Sequence, residues 1–278
     1  MAEDRLIRLR KAADRIRRTA VEMAHDAGAH GSHLGGSLSC VEIYAVLYGE
    51  ILHVYPGEPL REDRDRMVVG KEHARLAEFP AMAEAGFFGK EALASYLADD
   101  GMLAGHPYNP EIGLEFSCCS LGMALPVAIG MAIDAKRKKK ACRVYTIMGD
   151  GEMDEGLIWE GLMAAAQFGL DNLTAVIDRN SLSCDGETES IMALGDLEAK
   201  LRAFGWDVVS VNGHDVGELV RAFETERTEG KPFAIIAHTV KGKGLSFVEG
   251  NALWHQNILT DDMYKTALEE LKEAEYAD

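Results

Sequence analysis

Near the start of the chain, apolar residues recur at helical spacing: Leu6, Leu9, Ala13, Ile16, Ala20 and Met23, with Arg and Asp between them. That period predicts an amphipathic helix with one buried face. The glycine-rich stretch GAHGSHLGGSLS (28–39) predicts a loop. Ser39 is expected to cap a following helix that carries Val41, Ile43, Tyr44, Val46 and Leu47. EHARLAEFPAMAEAGFF reads as helix, with Pro80 as the point of interruption. Residues 99–120, rich in Gly and Pro, read as loop, and LGMALPVAIGMAIDAKRKKK as a long, mostly apolar helix. Beyond it the period changes. Short β-branched runs at 143–148, 173–178, 206–211 and 233–240 alternate with helical patterns at 155–168, 195–204 and 215–228. Strands alternating with helices predict an α/β fold, a parallel sheet with helices on both faces. No repeat, low-complexity tract or linker divides it, so a single domain over 1–278 is expected.

Charge narrows the function. A net charge of −17 and a pI near 5.0 leave no broad basic face, which excludes a nucleic-acid surface. An acidic chain that handles an anion must do so locally, with backbone amides, a metal or a few placed bases. The run KRKKK (136–140) reads as a helix C-terminus whose cations offset the dipole. The five cysteines (Cys40, Cys118, Cys119, Cys142 and Cys184) have no paired spacing and read as reduced thiols. The N-terminus has no signal-peptide core and no stretch is long and apolar enough to span a membrane, so a cytoplasmic protein is expected.

The chemistry concentrates in TIMGDGEMDEG, a strand, sharp turn and helix start. Ligands of parallel sheets bind at the carboxyl ends of strands. Gly149 and Gly151 let the backbone approach a ligand, and the helix N-terminus offers amides to a phosphate. Asp150 between them would repel that phosphate unless a divalent cation intervenes. Mg²⁺ takes oxygen ligands and some of them from phosphates. Thirty residues after Asp150, in VIDRNSLS, Asn180 can supply an amide oxygen and Leu182 a carbonyl. Alone, each feature is an ordinary turn; together they are fairly specific.

This pairing resembles the diphosphate-binding motif of thiamine-diphosphate (ThDP) enzymes, and within them the N-terminal half of transketolase, over nearly the whole chain. The resemblance implies the ThDP-binding fold, with ThDP and Mg²⁺ (or Ca²⁺ or Mn²⁺) as cofactors. It implies that Asp150, Asn180 and the Leu182 carbonyl bind the metal. Gly149, Gly151, His73 and the Ser120–Leu121–Gly122 turn would face the cofactor. Glu155 matches a family glutamate near the cofactor, linked to communication between two active sites. Glu152 and Asp154 match less constrained positions and read as solvated.

Four histidines fall in segments similar to transketolase motifs: His33 in SHLGGSLS, His73 in GKEHARLA, His106 in LAGHPYNPEIGLEFS and His255 in VEGNALWHQN. Imidazoles suit a polyhydroxylated ketose, whose hydroxyls they can bind and deprotonate. By the family pattern His255 and His33 contact the carbonyl and C3 hydroxyl, and His73 and His106 the C1 hydroxyl and the cofactor side. The sequence departs from the pattern at Cys118–Cys119, at Met123–Ala124, and at Glu72, which replaces a glycine. Arg75 and Glu78 read as an exposed i,i+3 ion pair, or Arg75 as a reader of an unusual anionic sugar. The pyrimidine-binding and C-terminal domains of transketolase have no counterpart here. The resemblance therefore implies an α2β2 enzyme whose partner subunit carries them, acting on a sugar phosphate or related anionic sugar. The rivals are a subunit of a 2-oxo-acid dehydrogenase or deoxyxylulose-phosphate synthase, and a non-catalytic diphosphate-binding module.

Overall fold

The computed structural model describes residues 2–117 and 120–275; Cys118 and Cys119 lie outside the described residues. Its helices are α1 (Ala2–Asp26), α2 (Leu34–Leu38), α3 (Val41–Val46), α4 (Arg75–Glu84), α5 (Ala124–Arg137), α6 (Gly156–Gln167), α7 (Thr188–Ile191), α8 (Leu197–Ala203), α9 (Val216–Glu224) and α10 (Asp261–Glu275). The strands are β1 (Arg66–Val69), β2 (Val144–Gly149), β3 (Leu173–Arg179), β4 (Asp207–Asn212) and β5 (Phe233–His238). They form one parallel sheet in the order β1-β2-β3-β5-β4. This is the α/β architecture the alternating pattern predicts.

Both faces of the sheet are covered, which explains why its strands read as near-continuous apolar runs. Tyr145, Ile147, Val176, Phe233 and Ile235 point to the core built with α1, α3, α4 and α9. Val144, Met148, Ala175, Ile177 and Ile236 point to the other, with α5, α6 and α8. The chain advances from β2 to β3, skips one position to β4, then turns back to insert β5. The reversal sends α9 to the face opposite α6 and α8, as same-handed crossovers require. At the carboxyl ends of β3 and β5, the connection leaving β3 runs to α8 on one face, whereas that leaving β5 packs Leu245 and Val248 into the core on the other. That is where a ligand crevice forms in a doubly wound sheet.

Several local expectations change. The glycine-rich loop contains α2, wholly buried, and Ser39 caps nothing on α3; its hydroxyl lies within hydrogen-bond distance of Gly36 O (2.9 Å) and, closer, of Asp178 Oδ2 (2.7 Å). A side chain at Gly35 would stand 2.6 Å from the Trp254 carbonyl, so only glycine lets α2 pack there. Pro80 lies inside α4 without breaking it. Strand β1 was not expected, because its four residues follow a charged surface stretch. Lys136, Lys138 and Lys140 at the end of α5 pair with Asp171, Asp134 and Glu62, in keeping with the helix-end reading. Among the described residues Cys40, Cys142 and Cys184 are free thiols, and no helix is long and apolar enough to cross a membrane.

Candidate active site

At the carboxyl edge of the sheet, Asp178, one residue before the end of β3, is a fully buried hub. Its carboxylate accepts from Lys71, Thr239, Ser39 (2.7 Å) and Asn180 Nδ2 (2.7 Å). Burial pushes its pKa up, but the Lys71 ammonium and these donors outweigh burial and hold it low. The bond to Asp178 leaves Asn180 Oδ1 on the other side of the amide, where it accepts from Leu182 N (3.1 Å). Ser181 between them has φ 65°, a left-handed turn that aims its N–H at Asp150 Oδ2 (2.6 Å).

Asp150 is 1% exposed. Its Oδ1 accepts from Gly151 N (2.9 Å) and Oδ2 also from Arg179 (3.0 Å). Burial, then Asp178, pushes its pKa up, and Arg179 opposes them. The Leu182 and Ser183 carbonyls accept from the Lys241 ammonium at 3.1 and 2.9 Å. Asp150, Asn180 and Leu182, the three expected ligands, thus sit on one pair of adjoining turns. Among the described residues no cluster of three or more His, Cys, Asp or Glu side chains is arranged for a metal. A cation here would rest on one carboxylate, one amide and one carbonyl, a donor set that suits a hard divalent ion. The Lys241 ammonium on the Leu182 carbonyl shows that this oxygen accommodates positive charge. The residues present fit the expected ion.

Glu152 is not solvated. It is 2% exposed and accepts from Gly122 N (2.9 Å) and Gly149 N (3.3 Å), and burial pushes its pKa up to about 7. It ties the Ser120–Leu121–Gly122 turn to the GDG turn. Gly122 has φ +85°, and a side chain on it would meet Glu155 Cβ at 2.7 Å. Glu155 itself is exposed at the start of α6, with Leu157 behind it; Asp154 is half-buried rather than solvated.

Three of the four histidines meet. His33 precedes α2, His73 follows β1, and His255 ends a 3₁₀ turn at Ala252–His255. Their ring centroids lie 5.1 Å (His33–His73), 5.2 Å (His33–His255) and 5.0 Å (His73–His255) apart. Burial, aided by neighbouring cations, lowers His33 and His255 to about 4 and His73 well below its usual value. All three rings are neutral at pH 7, which makes them hydrogen-bond partners for hydroxyls rather than cations. His106 is not one of the three touching rings, though its charge reaches His33; it is half-exposed, with Nδ1 3.2 Å from Glu72 Oε2. Arg75 and Glu78 are 3% and 1% exposed, so the expected exposed pair is buried. Both terminal nitrogens of Arg75 are engaged, by Glu72 and Glu78, and it does not face a sugar anion. Two surface concavities, one between α6 and α8 and one at the amino ends of β2 and β3, include no histidine.

Sequence reasoning missed Lys71 and Lys241. Lys71 is buried against Asp178, with Nζ also 2.8 Å from Gly36 O. Lys241 follows β5 and touches His255 Nδ1 at 3.1 Å. Burial, then repulsion from Lys71, brings Lys241 down to about 8. The signal was present: in an acidic chain, a lysine just after a strand, at the edge that binds ligands, is one of the few placed bases an anion requires.

The chain is similar to known proteins over nearly its whole length. Residues 9–273 match the family model "Transketolase, thiamine diphosphate binding domain". The chain is 39% identical over 262 residues to one of the subunits of the apulose-4-phosphate transketolase of Phocaeicola vulgatus, covering 94% of this chain and 92% of that one. It is 40% identical over 268 residues to the 6-deoxy-6-sulfo-D-fructose transketolase subunit SqwG of a Clostridium species, covering 96% and 97%. Among solved structures, transketolase from Campylobacter jejuni superposes with a TM-score of 0.85 at 26% identity, over 97% of this chain and 43% of that one.

Proposed function

Because this chain belongs to the transketolase family, we propose that it is the cofactor-binding subunit of a two-polypeptide transketolase that moves a ketol unit between anionic sugars. The observation that carries the reading is the meeting, on one sheet edge, of the Asp150–Asn180–Leu182 oxygens, Lys241 and three neutral imidazoles. Two relatives of the same extent are subunits of transketolases for a phosphorylated and a sulfonated sugar, which supports both the partner and the anionic substrate.

In this reading Asp150, Asn180 and Leu182 hold Mg²⁺ or a similar ion, and the Gly149–Gly151 turn and Lys241 receive the diphosphate. When bound, ThDP supplies the carbon nucleophile and electron sink of ketol transfer. The protein's part is orientation and proton handling. His33 and His73 are neutral, so each offers one N–H and one lone pair to the substrate's carbonyl and hydroxyls, whereas His255, whose Nδ1 lone pair takes the Lys241 ammonium, offers its Nε2–H. Burial favours these hydrogen bonds by excluding water that would compete. Glu155, exposed where α6 begins, faces outward to meet a partner subunit. A cytoplasmic location and an α2β2 assembly complete the proposal.

The test is to mix the chain with the candidate partner polypeptide, ThDP and Mg²⁺ and follow ketol transfer from a sugar phosphate. Transfer by the mixture, with none by either chain alone, is expected. Full activity of this chain alone, or decarboxylation of a 2-oxo acid in place of ketol transfer, overturns the proposal.

A further inference from the structure

Glu72, Arg75 and Glu78 form a buried charge row that the proposed chemistry does not use. Arg75 lies between two carboxylates, donating to Glu72 Oε1 (2.6 Å) and to Glu78. On the Glu78 side the row is closed by the Tyr48 hydroxyl (2.9 Å). At the other end Glu72 Oε2 takes Ser117 Oγ (3.5 Å) and faces His106 Nδ1 (3.2 Å). The side chains of Glu72, Arg75 and Glu78 are 0%, 3% and 1% exposed, whereas that of His106 is 47% exposed. A buried row of this kind is a poor source of stability, since apolar residues of the same volume do as well or better. Its outlet to solvent is the imidazole of His106.

We propose that Glu72 is a positioning residue that fixes the tautomer of His106. A carboxylate paired with a guanidinium only accepts hydrogen bonds. The ring nitrogen facing it must therefore carry the proton, so His106 holds hydrogen on Nδ1 and presents Nε2 as a lone pair. Arg75 and Glu78 act one step further back: they hold the Glu72 carboxylate in one orientation, with Oε2 toward the ring. The exposed Nε2 then receives a hydroxyl hydrogen of the substrate and does not compete as a donor. This rests on the reading of His106 as a sugar-binding side chain.

The test is ¹⁵N spectroscopy of the histidine-labelled full chain, with His106 assigned by its loss in His106→Gln. In the neutral imidazole the proton is expected on Nδ1, with Nε2 unprotonated. In Glu72→Gln the amide oxygen stays with Arg75 and the NH₂ turns to the ring, so the tautomer should invert. With the partner subunit present, Glu72→Gln should lower kcat/KM for the ketose about tenfold, the scale of one lost hydrogen bond. It should change nothing further in a His106→Ala background. A neutral native His106 whose proton sits on Nε2 overturns the proposal, as does an equal loss from Glu72→Gln in both backgrounds. If Glu72→Gln does not fold, the native tautomer alone decides. If the native complex transfers no ketol unit, the functional reading fails while the tautomer measurement still decides the role of Glu72.

Discussion

Replacing Asp178 by Asn tests whether the lysine–aspartate pair is the keystone of the site. The native carboxylate has no exposed surface and accepts from four side chains, one of them the Lys71 ammonium. Asparagine has one acceptor oxygen and brings two donors of its own. Ser39, Lys71 and Asn180 all converge on Oδ2, so even with the amide oxygen placed there the NH₂ faces the Thr239 hydroxyl, and Lys71 becomes a buried charge with only neutral partners, among them Gly36 O. Removing one member of a buried ion pair costs about 3–5 kcal/mol. For a chain of this size each kcal/mol lowers the melting temperature by about 2–4 °C, so a fall on the order of 10 °C is expected. Melting of Asp178→Asn, Lys71→Met and the double variant forms the assay. The double variant removes both charges and should lose clearly less than the two single losses together, by about 1–3 kcal/mol. Calorimetry with ThDP and Mg²⁺ adds a functional readout: Asn180 is no longer held by a carboxylate, so Mg²⁺ affinity should drop. A melting point within about 2 °C of native, or strictly additive losses, would refute the reasoning.

Three more outcomes are expected. Gly35→Ala places a carbon 2.6 Å from the Trp254 carbonyl, backbone against backbone, and should cost about 1–3 kcal/mol while moving His33 away from His255; an unshifted melting curve counts against this packing. Glu42, 7% exposed, is pushed up by burial, but Arg17 and His214 outweigh that and lower its pKa below 4.5. A lowered acid contributes stability that is complete above 4.5 and is lost as pH falls through the folded value; melting from pH 6 to 3 should fall more steeply for the native chain than for Glu42→Gln, and parallel curves would contradict it. Finally, Lys241 helps hold His33 and His255 near 4, after burial. Lys241→Met should therefore raise both midpoints by NMR titration without restoring 6.5, and unmoved midpoints would show that the lysine charge does not reach the rings.

The parts of the fold legible in the sequence were those where burial leaves a local pattern. Strands β2, β3 and β5 are buried on both faces and stood out as β-branched runs; their observed limits differ from the expected ones by two residues at most. Strand β1 hid because Arg66 and the charges before it mask a four-residue element. Motif spacing put Asp150 and Asn180 just after two strands, where the structure has them, since a strand end and its turn are adjacent in sequence. The errors concern charge. An i,i+3 Arg–Glu pair has the same spacing on a wet helix face as in a core, so Arg75–Glu78 gave no sign of burial. Glu152 likewise looked solvated, because the amides that receive it, Gly122 and Gly149, come from two separate turns. Burial of an ionised group is decided by what folds over it, and no local pattern records that.

The two lysines show how a chain of net charge −17 can hold an anion. Lys71 and Arg179 are each matched by a carboxylate, Asp178 and Asp150 respectively. Those pairs set the shape of the edge and leave little charge for a ligand. Lys241 differs: its hydrogen-bond partners are two carbonyls and the His255 ring, and its pKa is accordingly depressed by burial and by Lys71. It is a buried cation whose charge is solvated by dipoles rather than neutralised. An anion brought to that spot gives the ammonium a charged partner in place of a neutral dipole, and its arrival would raise the pKa of Lys241 and of the neighbouring imidazoles together. A cation on Asp150, Asn180 and Leu182 would release the Leu182 carbonyl from Lys241 and turn the ammonium toward the same anion. Metal and anion would therefore bind with positive coupling: the affinity for a diphosphate should rise with Mg²⁺ in the native chain. In Lys241→Met that dependence should shrink, because the methionine thioether has no charge to redirect. An Mg²⁺ dependence as steep in Lys241→Met as in the native chain would place the coupling in the metal alone and remove the lysine from it.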